Sequence, residues 1–244
     1  VKAVILVGGE GTRLRPLTYH VPKPLLPVVG STILQHVLAH LAEHGVTDAV
    51  LSLGYKPEPF LRAFPDHVAS GVRLSYATEP EPLDTAGAIA FAARQAGWQN
   101  ETLVVVNGDV ITDNDVTALI AMHNRVGALA TISLTPVDDP SRFGVVPTQA
   151  DGQVIAFIEK PPVGEAPTNM INAGTYVLAP EVIAMVEAGR RVSIEREIFP
   201  AIVAKGACYG LADDSYWVDA GTPETLLRVN VDLLNGSRRS DADQ

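Results

Sequence analysis

The spacing of apolar and polar residues changes character near residue 128. Before that point, short apolar runs alternate with amphipathic stretches. The pattern predicts strands over about 1–7, 49–53, 72–77 and 102–106, with helices over 32–44, 57–64, 85–96 and 114–125. Such alternation implies βαβ units, hence an α/β fold with a Rossmann-like mixed, mostly parallel sheet flanked by helices. Beyond it the pattern turns β-rich (128–136, 143–147, 153–159, 171–178), then gives a helix pair around 180–204 and a final helix over 223–234. One domain over 1–236 is expected, built of halves 1–127 and 128–236 on one continuous sheet, with the polar stretch 237–244 as a flexible tail.

Composition adds bounds. Hydrophobic content of 47% with 19% charged residues suits an ordinary substantial core. No apolar run reaches membrane-span length, and no signal peptide precedes the first strand, so a cytoplasmic protein is expected. The single cysteine, Cys208, allows no internal disulfide and fits a reducing compartment. It reads as a strand residue with no paired histidine to activate it. A net charge of −10 argues against nucleic acid and anionic membranes as partners.

Candidate chemistry concentrates in VILVGGEGTRLRPLTYHVPKPLLP, Val4 to Pro27. A buried strand runs into Gly8, Gly9, Gly11 and Thr12, followed by Arg13, Arg15 and Lys23. Glycines let backbone N–H groups approach phosphate, and guanidinium and ammonium groups hold its oxygens. No Lys-Ser or Lys-Thr follows, which excludes a P-loop, and Leu14 replaces the third glycine of a dinucleotide fingerprint. Asp109 ends LVVVNGD at a strand's carboxyl end, where open α/β sheets bind ligands, and Gly108 there allows close approach. Asp219 ends YWVD before a helix opened by Thr222 or Pro223. Two carboxylates from distant segments suit Mg²⁺ completed by phosphates and waters.

GGEGTRLRPLT with PKPLLPV resembles the opening motif of sugar-1-phosphate nucleotidylyltransferases. The resemblance runs from Lys2 to about Asn235 through EPEPLDTAG, VVVNGDV, FGVV, FIEKP, INAG and YWVDAGTPE. SIEREIFP and INAG are similar to the mannose-1-phosphate guanylyltransferase branch. The resemblance implies the nucleotide-diphospho-sugar transferase fold, a nucleotide-binding first half and a sugar-phosphate-binding second half. It implies transfer of a nucleotidyl group from a nucleoside triphosphate, GTP foremost, to a sugar 1-phosphate, mannose 1-phosphate foremost, by a homodimer. It assigns Leu6, Gly8, Gly9, Gly11, Thr12, Glu79, Asp84, Thr85 and Gly108 to the nucleotide. Gly144, Glu159, Lys160, Asn172 and Gly174 go to the sugar phosphate, Asp109 and Asp219 to the metal, and Arg13, Lys23, Asp109 and Lys160 to catalysis. No hexapeptide repeat follows, so the β-helical second domain of many guanylyltransferases is not expected in this chain.

The residues leave several alternatives. Simple strand alternation sends Glu159 and Lys160 to opposite faces, so a local twist must bring both to one pocket. The glycines of FGVV and INAG could serve packing instead of the ligand. Asp84 stands where the family commonly has glycine; its carboxylate either accepts from guanine N1–H and amino groups or caps a helix beginning at Thr85. That departure, with Ser31-Thr32, leaves room for a heptose or cyclitol phosphate as acceptor. His36, His40 and His44 read as a half-exposed helix flank, not a metal stripe. Asp113 and Asp115 read as helix-opening acids, not the D-x-D of glycosyltransferases. A glycosyltransferase and a non-catalytic nucleotide-sugar-binding homologue are the rival classes.

Overall fold

The computed structural model describes residues 1–54 and 57–237; the rest of the expected tail, 238–244, lies outside the described residues. Strand β1 (Lys2–Leu6) opens the chain. After the glycine-rich loop, a hairpin of β2 (Pro27–Val28) and β3 (Ser31–Thr32) leads into α1 (Ile33–Glu43). There follow β4 (Asp48–Leu53), α2 (Glu58–Ala63), β5 (Val68–Ala69), β6 (Val72–Thr78) and α3 (Asp84–Gln95). Strands β7 (Leu103–Asn107) and β8 (Val110–Thr112) then precede α4 (Val116–Val126). The second half supplies β9 (Ala130–Pro136), β10 (Gly144–Val145), β11 (Ile158–Glu159), β12 (Met170–Leu178) and α5 (Pro180–Ala184). It ends with α6 (Phe199–Val203), β13 (Cys208–Ala212), β14 (Trp217–Asp219) and α7 (Pro223–Leu234).

Ten strands form one mixed sheet in the order β11-β10-β12-β7-β1-β4-β6-β5, with β9 and β13 joined to β12 through β9. Pairings among β7, β1, β4 and β6 are parallel, whereas β12 runs antiparallel to both β7 and β9. Strands β1, β4 and β7 are buried along nearly their whole length because helices cover both faces, whereas β6 alternates buried and exposed residues. Val4, Val105 and Ile89 belong to one core, and Ile5, Val104, Leu38 and Leu51 to the other. A third cluster, with Leu14, Ile111, Val218 and Val229, packs α7 and β14 beneath the glycine-rich segment.

Helix starts obey local chemistry. Thr32 caps α1 in a capping box with Gln35, and Thr222 caps α7 with Pro223 in its first turn. Helix α4 begins at Val116, two residues later than the expected 114, because the Asp115 carboxylate accepts the Ala118 N–H at 2.8 Å. The expected strand over 153–159 contracts to β11, with isolated bridges at Gln153 and Val154. His36 and His40 are buried, not half-exposed: their ring nitrogens meet the Val28 carbonyl and the Asn114 side chain. Among the described residues, no group of three or more His, Cys, Asp or Glu side chains could hold a metal, and no helix is long and apolar enough to cross a membrane.

Candidate active site

β1 ends at Leu6, and the chain turns through Gly9 (φ 126°) and Gly11 (φ 57°) into a 3₁₀ turn at Thr12–Leu14. A Cβ on Gly11 would lie 2.9 Å from the Thr18 methyl, so glycine is needed there for space as well as conformation. This loop, with Arg13, Lys23 and Asp109, lines a cavity of about 180 Å³. The Lys23 side chain is only 8% exposed, and its Nζ donates to Asp109 Oδ2 at 2.6 Å and Asp219 Oδ1 at 2.9 Å. Arg13 Nη2 stands 3.7 Å from Asp219 Oδ2.

Asp219 reaches Asp109 because β14 pairs antiparallel with β8, and the Ala220 N–H donates to the Asp109 carbonyl at 3.3 Å. Gly221 completes the arrangement: a Cβ there would lie 2.8 Å from both Arg13 Nη2 and Asp219 Oδ1. The motif reading overlooked it, though it stands inside YWVDAGTPE. The two carboxylates converge on one cation and carry only hard oxygen donors, a fit to Mg²⁺ if phosphate oxygens and waters complete the shell. Gly108, expected to allow close approach of the ligand, also has a packing reason. Its Cβ would meet Val7 Cγ1 at 2.6 Å and Ile5 Cγ2 at 3.0 Å, so the neighbouring strand excludes a side chain there.

An adjoining cavity of about 410 Å³ extends over Gly8, Gly9, Ser52, Glu79, Asp84 and Thr85. Its described lining carries four carboxylates, Glu10, Glu79, Glu81 and Asp84, and no lysine or arginine. Glu79 Oε2 accepts the Leu83 N–H at 2.9 Å, and burial above all holds its carboxyl above the usual glutamate range. Asp84 takes a left-handed backbone (φ 60°), where aspartate is tolerated far better than bulky residues. It is the first residue of α3, not a cap before Thr85; Oδ1 accepts the Thr85 N–H at 2.8 Å, and Oδ2 lies 3.8 Å from Arg191 Nε.

On the other side of the crevice, the required twist occurs at Lys160. A left-handed residue there (φ 49°) ends β11's alternation and brings Lys160 Nζ within 3.3 Å of Glu159 Oε1. Gly144 pairs with Glu159, and a Cβ on it would enter the Phe157 ring at 2.6 Å. β12 loses register with β9 between Asn172 and Tyr176, around Gly174 (φ 82°). A Cβ at Gly174 would meet Asn107 Nδ2 at 2.7 Å. Both glycines therefore have a packing reason. Asn172 accepts the Gly174 N–H at 2.9 Å and donates to the Tyr176 hydroxyl at 2.8 Å, while Trp217 Nε1 donates to the Ala173 carbonyl at 2.8 Å. Irregular strand geometry of this kind commonly re-aims side chains beside active sites.

A glycine-rich loop after β1, Asp109 after β7 of the helix-covered sheet, and Asp219 at the end of β14 of the small β8-β14 sheet meet at one cavity of an α/β protein. The chain belongs to the nucleotidyl transferase family, whose model matches residues 2–236. It is 46% identical to a mannose-1-phosphate guanylyltransferase of Mycobacterium tuberculosis, over 99% of this chain and 67% of that protein. It is 39% identical to a mannose-1-phosphate guanyltransferase of Eremothecium gossypii, over 100% of this chain and 68% of the relative. The chain thus spans about two thirds of the length of these relatives. Among solved structures it is similar to a putative glucose-1-phosphate thymidylyltransferase of Bacillus anthracis, with TM-score 0.86 and 25% identity over 100% and 99% of the two chains. HddC of Yersinia pseudotuberculosis complexed with GMP-PN gives TM-score 0.79 and 29% identity over 94% and 98%.

Proposed function

We propose that this chain transfers a guanylyl group from GTP to mannose 1-phosphate, releasing pyrophosphate and forming a nucleotide sugar. The observation that carries the reading is the charge contrast between the two adjoining cavities. Lys23 and Arg13 line the one formed by the glycine loop, which suits a polyphosphate. The other is lined by carboxylates, which suits a base and ribose rich in hydrogen-bond donors. Guanine presents N1–H and an amino group on one edge, and among the described residues the Ser52 hydroxyl meets Glu79 Oε1 only at the long distance of 3.5 Å. The names of the relatives and the GMP-PN of the HddC complex support guanine further.

In the reaction, an oxygen of the sugar phosphate attacks the α-phosphorus in line. A P–O bond forms as the bond to the leaving pyrophosphate breaks. A phosphate monoester is already ionised near neutral pH, so no general base is needed; positioning and charge neutralisation supply the rate. Lys160 holds the nucleophile, Lys23 faces the α-phosphate, and Arg13 steadies the departing pyrophosphate. Asp109 and Asp219 would hold Mg²⁺, which when bound supplies further neutralisation of phosphate charge. Glycine-loop N–H groups and Thr12 support the triphosphate. Glu159, Asn172 and the Gly144 and Gly174 segments surround the sugar. We place the reaction in the cytoplasm: the one cysteine, a buried thiol pushed up to about 12, suits a reducing compartment. A homodimer is the expected assembly, which sedimentation measures.

The test is pyrophosphate release by the purified chain with Mg²⁺, each nucleoside triphosphate and a panel of sugar 1-phosphates. GTP with mannose 1-phosphate should give the highest kcat/KM. A preference for heptose or cyclitol phosphate would replace the acceptor, and absence of turnover with every pair would overturn the reading.

A further inference from the structure

Glu195 belongs to no part of the machinery assigned above, yet its surroundings are those of a ligand-reading group. It lies in a π-helical turn, Ile194–Ile198, a rare geometry frequent at functional sites. Ile194 and Ile198 are buried in the core and fix that turn, and Glu195 is half-buried between them. Its Oε2 accepts from the Thr85 hydroxyl at 2.7 Å and the Ser193 hydroxyl at 2.9 Å. Thr85 in turn accepts the Ile194 N–H at 2.8 Å, and the Val192 carbonyl accepts both Ala86 and Gly87 N–H groups at the start of α3. The carboxylate is thus held by neutral donors on a rigid seam between the two halves. Glu197, two residues on, accepts the Ser193 N–H at 3.2 Å and pairs with Arg190 at 3.0 Å, so it serves the turn itself.

What Glu195 faces is set by Tyr176. Burial, then the charge of Glu195, then those of Glu159 and Asp109 hold the Tyr176 phenol firmly neutral. The same hydroxyl accepts from Asn172 at the β12 irregularity. Phe199, four residues after Glu195, packs edge-on against Tyr176 with ring centroids 5.2 Å apart and lies 5.1 Å from the Phe157 ring, so the turn adjoins β12 and the segment leading to Glu159, which the proposed function gives to the sugar. The hydrogen bonds to Oε2 come from uncharged hydroxyls, which satisfy the carboxylate without supplying an opposite charge. The carboxylate would repel a phosphate and attract neutral hydroxyl donors.

We propose that Glu195 is a specificity residue for the acceptor: Oε1 accepts hydrogen bonds from ring hydroxyls of the sugar 1-phosphate, while Thr85 and Ser193 anchor Oε2. The proposal rests on the nucleotidyl-transfer reading and names the sugar ring as the group read. Glu195→Gln keeps the shape and an acceptor for Thr85 and Ser193 but removes the charge. Steady-state kinetics should show the KM for mannose 1-phosphate rising about tenfold with the KM for GTP within about twofold, the scale of one charged hydrogen bond. Preference for mannose 1-phosphate over its C2 epimer, glucose 1-phosphate, should narrow. Thr85→Val, which frees the carboxylate from one anchor, should raise the sugar KM by a smaller factor. Unchanged sugar constants in Glu195→Gln, or equal rises in both KM values with a lower Tm, would overturn the proposal while wild-type turnover stands. A wild type that turns over no sugar 1-phosphate would overturn the reading beneath it.

Discussion

In the proposed site, Lys23 and Lys160 each supply an ammonium group, one from each half, and the two are held by opposite means. Lys23 is 8% exposed and fixed by two carboxylates. Lys160 is 61% exposed, pairs with Glu159, and has a left-handed backbone. Charge organises the proposed phosphate side; backbone irregularity organises the proposed sugar side. The same division runs through the neighbours. Asp109 follows a regular parallel strand, whereas Asn172 and Gly174 sit where β12 slips its register. A site built on charge should fail through chemistry when altered, and one built on irregular backbone should fail through conformation and substrate affinity.

Lys23→Met should give the largest loss. Asp109 and Asp219 would face each other without their shared cation, and kcat should fall by about 10²–10³, the usual cost of one charge-stabilising group. Pyrophosphate-release assays measure this, and a near wild-type rate would break the comparison on the phosphate side. Gly174→Ala should instead act on conformation. Its φ of 82° and the Asn107 side chain at 2.7 Å both oppose a Cβ, so urea unfolding should show a loss of about 1–3 kcal/mol. Wild-type stability there would mean the irregularity is dispensable. Lys160→Ala should raise the KM for sugar 1-phosphate about tenfold and leave that for GTP nearly constant; parallel rises would merge the two phosphate sites into one.

Glu79 offers a milder probe through pH. Burial raises its carboxyl pKa in the folded state, so the fold binds its proton more tightly than the unfolded chain does. The associated stability is fully present below the unfolded value, about 4.3, and is lost as pH rises through the raised value. Relative to Glu79→Gln, the wild-type Tm should therefore decline across that window; a constant difference between the two curves would refute the assignment. Asp84→Gly should have the smallest effect. Glycine relaxes the left-handed backbone while the Thr85 N–H loses its acceptor, two changes of about 1 kcal/mol and opposite sign. Tm should shift little, and a tenfold fall in the preference for GTP over ATP would reveal a direct contact of Asp84 with the base.

Periodicity foretold most of the helices and the central strands, including α7 at Pro223–Leu234. It did so because those elements bury a regular stripe and carry their own caps at Thr32, Asp115 and Thr222. The motifs led to Asp109 and Asp219, but their meeting depends on β8 pairing with β14, a contact between remote segments that no local pattern announces. The twist needed to bring Glu159 and Lys160 together could be inferred from conflict with alternation; its location at Lys160 could not. The packing of Gly108 against Val7 and Ile5 was not legible, because a glycine beside a ligand and one beside a packed strand look alike in a sequence. Glu195 was missed because a π turn has no periodicity of its own, and His36 and His40 because their hydrogen-bond partners lie elsewhere in the chain.

The bond from Lys23 to Asp219 joins residues 196 positions apart, and Asp109 is bound by the same ammonium. During synthesis the glycine loop emerges first, then Asp109, and only about a hundred residues after that the strand bearing Asp219. A growing chain can pair its parallel strands long before it can close this three-membered cluster. Full assembly of the phosphate site is therefore a late event, deferred until nearly every residue of the domain has left the ribosome.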